Sequence, residues 1–167
     1  MRKGNSYLHK IIDGPESDKY VEYALSFDHA YSYKEIQKLL DKKDTKWIWV
    51  DAESDEDIES KNEREANGEP SEPFYRGNIF GYQNDGESKW QSPQFLINTL
   101  KSSELYGHYK DTANNTLKIL KKDNPKLRPE KVKIIGAVVT GTPSELKKYQ
   151  NKKFIRASSL GATIDQY

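Results

Sequence analysis

The stretch "AVVTGTPSELKKYQNKKFIRASSLGA", residues 137–162, reads as a strand, a glycine turn, a short helix and a returning strand. Its turn, Thr140-Gly141-Thr142-Pro143-Ser144-Glu145, poses a choice between a phosphate loop and a plain helix start. A nucleotide loop of the P-loop kind needs a Lys-Ser/Thr pair after its glycines, and the dinucleotide fingerprint needs three glycines at fixed spacing. Gly136 and Gly141 are followed by neither. Thr142 and Glu145 stand three apart, as in a capping box, and Pro143 fills the first helical position, where a missing N–H costs nothing. The turn therefore starts a helix, and residues 131–164 form one strand–helix–strand unit.

A second unit lies upstream. "DKYVEYALSFDHA" alternates apolar and polar residues from Tyr20 to Phe27 and predicts a strand. "YSYKEIQKLLDKK" puts Ile36, Leu39 and Leu40 on one helical face, with Ser32 and Glu35 spaced as a capping box. "KWIWVDAE" is the returning strand, closing a unit over residues 20–53. Crossovers through a helix favour parallel or mixed pairing. Two such units plus a central helical segment predict an α+β fold, one mixed sheet with helices mainly on one face.

Between the units, residues 54–72 are acidic, lack apolar periodicity and contain Asn67-Gly68-Glu69-Pro70, which predicts a loop insertion. "PFYRGNIFGYQ" predicts a short strand or turn pair punctuated by Gly77 and Gly81. From Ser92, an N-cap followed by Pro93, helical spacing runs through Phe95, Leu96 and Leu100; Gly107 divides it into two helices, the second ending near Lys122. Residues 1–19 read as an N-terminal linker and residues 20–167 as a single domain, in keeping with a length of 167.

Composition narrows the chemistry. Hydrophobic residues make up only 34%, yet 11 Tyr, 5 Phe and 3 Trp argue for a folded core with long polar insertions. Cysteine is absent, which excludes disulfides, thiolate zinc sites and a Cys nucleophile. No apolar run approaches the roughly 18–20 residues of a membrane helix. Net charge is +1, but its distribution is uneven: residues 51–72 hold ten acids against Lys61 and Arg64, while residues 101–156 hold fourteen Lys or Arg against five acids. The basic half is either a solvated lysine face or a surface for an anionic partner.

Other candidate chemistry is sparse. Asp51, Glu53 and Asp55 have the alternate spacing of a calcium loop, but Glu56 stands where its glycine belongs and Asn62 where its bidentate Glu belongs. His9, His29 and His108 are scattered, and no nucleophile elbow surrounds Ser158 or Ser159, so neither a metal, a cofactor nor catalysis is expected. No RNA-binding signature accompanies the tyrosines and lysines, so no nucleic-acid partner is expected. Trp47 and Trp49 alternate with Ile48 and Val50, so both indoles share one side of a strand read as central. They either pack in the core or form an aromatic interaction surface.

Taken together, Ser26-Phe27-Asp28, Trp47 to Asp51, Val138 to Leu146 and Arg156 to Gly161 resemble the C-terminal domain of bacterial sigma-factor regulators, the membrane-anchored anti-sigma factors of Gram-positive bacteria. The resemblance covers residues 20–164, with the acidic insertion in a variable part. It implies a non-enzymatic extracytoplasmic sensor or interaction domain, whose parent chain would add a transmembrane anchor and a cytosolic sigma-binding region. An envelope protein or polymer would be its partner, and no catalytic residues carry over. Trp47, Trp49, Thr140, Gly141, Arg156, Ser158 and Ser159 are its candidate interaction or motif positions. The alternative is a binding domain for an anionic envelope polymer or lipid head group, using Lys147, Lys148, Lys152 and Lys153.

Overall fold

The computed structural model describes residues 19–68, 80–84 and 89–165. The first strand, β1 (Lys19–Ser32), buries Val21, Tyr23, Leu25 and Phe27 at every second position, as its alternation requires. It hands over directly to α1 (Tyr33–Leu39), whose N-cap is Ser32. The Glu35 amide donates to the Ser32 hydroxyl and the Ser32 amide donates to the Glu35 carboxylate, the capping box expected there. Those hydrogen bonds from Ser32 hold the Glu35 carboxyl below its ordinary pKa. The chain returns through β2 (Thr45–Val50).

Much of the acidic stretch read as a loop is helical: α2 spans Asp55–Ala66, while residues 69–72 fall outside the described residues. Its sequence explains the correction. Arg64 sits in the last turn, which suits the negative end of the helix dipole, and Asn67-Gly68 follows as a stop. Such a helix needs no apolar stripe, and its Ile58 is exposed. The expected strand near Gly81 is β3 (Gly81–Gln83); Gly77 falls outside the described residues. Two helices follow, α3 (Pro93–Leu100) with Ser92 as its N-cap, and α4 (Gly107–Asp123). A 3-10 turn at Pro129–Lys131 leads into β4 (Lys133–Gly141). The quoted turn then does what its residues dictate: Thr142 caps α5 (Pro143–Leu146), with Glu145 closing the box. A 3-10 turn, Lys147–Tyr149, precedes the last strand, β5 (Ile155–Asp165).

The strand order is β3-β2-β4-β1-β5, and every neighbouring pair is antiparallel. The α+β class and both strand–helix–strand units are present, but the sheet is not mixed. In each unit the two strands do run parallel, yet the first strand of the other unit lies between them: β4 separates β1 from β2, and β1 separates β4 from β5. The units interlock as split β-α-β motifs, the ferredoxin-like arrangement, with β3 added at one edge. β2 is thus second from the edge rather than central. The excursion between β2 and β4 leaves and returns at one point, where the Asp51 amide donates to the Lys133 carbonyl at 2.9 Å.

One face of this sheet carries the core. Leu25, Ile48, Ile134, Ala137 and Val139 supply its floor, and Ile36 of α1, Ile97 of α3, Leu120 of α4 and Leu146 of α5 cover it. Tyr82 is buried there too, and its hydroxyl has no hydrogen-bond partner among the described residues; burial pushes its pKa far up.

Candidate functional site

The opposite face of the sheet can be read rung by rung from the register. One row runs Gln83, Trp47, Val138, Ala24, Ser159, and the next runs Gly81, Trp49, Gly136, Ser26, Ala157. Thr140 and Glu22 pair in the row beyond. Neither Trp47 nor Trp49 belongs to the core; both are half-buried on this open face, while Ile48 and Val50 between and beside them point into the core.

Two glycines seat the indoles. A Cβ at Gly136 would run into the Trp49 ring and stand 2.6 Å from the Leu25 carbonyl oxygen. One at Gly81 would overlap the Trp47 indole and the Ile48 carbonyl. Each ring therefore lies over a neighbouring strand's bare backbone.

Bulges in β5 aim the polar groups. Ala157 pairs with Ser26 and Ile155 with Phe27, so Arg156 is an extra residue without an opposite number. From there its guanidinium donates to the Ser26 hydroxyl at 3.2 Å. Gly161 and Ala162 together oppose Glu22, and the Ala162 amide donates to the Glu22 carboxylate at 3.4 Å. Ser26 and Arg156, from opposite ends of the motif set, are thereby joined.

The structure divides the seven candidate positions. Trp47, Trp49, Thr140, Arg156 and Ser159 share the open face; Gly141 and Ser158 do not. Gly141 is buried against Glu145 and Leu146, and Ser158 shares a hydrogen bond with the hydroxyl of Tyr23 on the core side. Burial raises the Tyr23 pKa while that bond opposes the rise. Ser159 bonds only weakly, to the Leu160 carbonyl at 3.5 Å. His29 stacks on Tyr31 and pairs with Asp28, and His108 lies beside Tyr109; none of these contacts involves a serine hydroxyl. Tyr31, desolvated and bonded to the Asp28 carboxylate, is pushed up to about 12. Among the described residues no group of three His, Asp or Glu could hold a metal, and no helix is long and apolar enough to cross a membrane.

A second polar cluster, which the sequence did not reveal, ties the α1–β2 turn to the C-terminal unit. The Lys148 ammonium lies 2.6 Å from Asp44 and 3.0 Å from Asp41. Tyr149 donates to Asp44 at 3.2 Å and accepts from the Asp41 amide at 3.0 Å. Burial alone would lower the Lys148 pKa, but the bonds to Asp44 and Asp41 outweigh it and raise it. The same bond with Lys148 holds Asp41 below the usual carboxylate range. Lys148 is therefore committed to a structural knot rather than offered to an anion. These partners lie more than a hundred residues apart, so no local spacing could have announced them.

The fold is a small α+β domain built on a split β-α-β sheet, with α1, α3, α4 and α5 covering its core face. Over residues 12–162 the sequence matches the family described as sigma factor regulator C-terminal, and the chain belongs to that family. It is a domain of sigma-factor regulation. No curated protein and no solved structure matched it.

Proposed function

We propose that this chain is the extracytoplasmic sensing domain of a membrane-anchored anti-sigma factor, and that it works by binding, not by catalysis. The observation that supports this reading is the placement of the motif side chains. Trp47, Trp49, Thr140, Arg156 and Ser159 sit on the face of the sheet opposite the core. Large aromatic and Arg side chains on an open face are the usual anchors of an interaction surface. The partner is an envelope component, and its occupancy of this face is relayed through the anchor to the sigma-binding region of the parent. The rival surface, the basic C-terminal half, retains Lys147, Lys152 and Lys153 but has lost Lys148 to the Asp41–Asp44 knot.

The test is topology. Alkaline-phosphatase and β-galactosidase fusions to the C-terminus of the full-length gene product should report this domain outside the membrane, with one apolar helix upstream. A β-galactosidase-active, phosphatase-silent fusion would place the domain in the cytosol and overturn the proposal.

A further inference from the structure

The C-terminal end of α2 carries a reactive pair, Asn67-Gly68. Asn67 is exposed, and its amide donates to the Glu63 carbonyl at 3.1 Å, closing the last helical turn. Gly68 follows in the left-handed region, with a φ of 71°, and a Cβ built on it would meet nothing within 4 Å. A glycine here leaves the peptide nitrogen after Asn67 without a shielding side chain. The Asn67 carboxamide, an electrophile, thus sits beside an unhindered nucleophile of its own backbone.

The other asparagines among the described residues are protected by their surroundings. Asn62, Asn98, Asn114 and Asn115 lie inside α2, α3 and α4, where the following amide is tied into the helix. Asn84 is buried, donates to the Lys42 and Thr45 carbonyls and accepts from the Gln91 amide. Asn124 is buried, clasps the amide and the carbonyl of Arg128, and precedes Pro125, which has no N–H to lose. Asn151 precedes Lys152, whose side chain crowds the approach.

We propose that Asn67 is a site of spontaneous covalent modification, converting to aspartate and isoaspartate through a cyclic imide. The Gly68 nitrogen, its proton taken by hydroxide, attacks the Asn67 side-chain carbonyl carbon. A C–N bond forms there, the bond to the side-chain nitrogen breaks, and that nitrogen leaves as ammonia. Water then opens the ring at either carbonyl, so no oxidant or reductant is consumed. The product puts a new carboxylate at the negative end of the α2 dipole and four residues from Glu63, unfavourable on both counts. In isoaspartate the backbone also gains a methylene. Both changes loosen the last turn of α2.

The experiment is peptide mapping by mass spectrometry of the intact chain, held folded for days in mildly alkaline buffer, with isoaspartate read separately by enzymatic methyl transfer. Residue 67 should gain the mass of an amide-to-acid exchange at least tenfold faster than any other described asparagine, with isoaspartate forming alongside aspartate. Gly68→Ala should slow the conversion at least tenfold. In the converted chain, amide hydrogen exchange should quicken in the last turn of α2 and stay unchanged in the sheet. Faster conversion at another described asparagine overturns the proposal, as does a rate at residue 67 that Gly68→Ala leaves unchanged. Conversion seen only after unfolding in urea also overturns it, since the reactive geometry would then not belong to the folded chain.

Discussion

The two faces of the sheet are built from alternate residues of the same strands, yet they obey different rules. On one, Leu25, Ile48 and Val139 are wholly buried beneath four helices. On the other, Ala24, Trp47, Trp49 and Val138 remain partly open. All five strands contribute to both faces, so a one-residue slip would exchange them. The difference teaches that apolarity in a strand is not by itself a sign of the core. Ile48 and Trp49 are neighbours of similar hydrophobicity, and only the helices distinguish them.

Substitutions break this comparison in order of size. Ile48→Ala empties a fully buried position and should cost about 2–5 kcal/mol in a urea unfolding curve. Gly136→Ala attacks the boundary between the faces, since its methyl meets both the Trp49 ring and the Leu25 carbonyl; about 1–3 kcal/mol should be lost, with a shifted tryptophan emission.

Lys148→Met tests the knot that fastens the turn between α1 and β2. With solvent reaching much of the lysine side chain, the expected loss is about 1 kcal/mol at neutral pH. The pH dependence is the sharper readout. Asp41 is depressed in the fold, so its contribution is complete above its unfolded pKa of about 3.9 and fades as pH falls through the folded value. The urea midpoint of the parent should therefore drop on acidification below about pH 4. The Lys148→Met curve should fall less steeply over that interval.

Tyr82→Phe removes the orphan hydroxyl from the core and should stabilise the domain by about 1 kcal/mol in thermal unfolding. Ser159→Ala, on the open face, should move stability by less than about 0.5 kcal/mol, so any effect on binding is separable from folding.

Much of the local structure was legible in the residues. Ser32–Glu35 and Thr142–Glu145 announce both helix starts, and Gly107 marks the division between α3 and α4. The alternation of Trp47 to Val50 put both indoles on one side. Which side faced solvent was not legible, because the helices that decide it come from elsewhere in the chain. Nor was the pairing: a strand–helix–strand sequence is the same whether its strands are adjacent or separated by a third, and only the insertion of β4 beside β1 made the sheet antiparallel. The helix Asp55–Ala66 was missed because it lacks an apolar stripe, the signal by which a helix is read from sequence. Glu22 shares strand parity with Ala24, and Gln83 is the cross-strand partner of Trp47, but only the register shows that they border one surface.

The interlocking of the two units also has a kinetic meaning. Tyr23 meets Val139, 116 residues further along, and this central pairing must close before either crossover strand has its proper neighbour. Such long-range closure slows folding. A chain emerging from a ribosome or a secretion channel would stay without its central sheet until β4 has passed, and without its last edge until β5 has followed. If this domain is exported, it travels as an unfinished chain and acquires its working surface only on arrival.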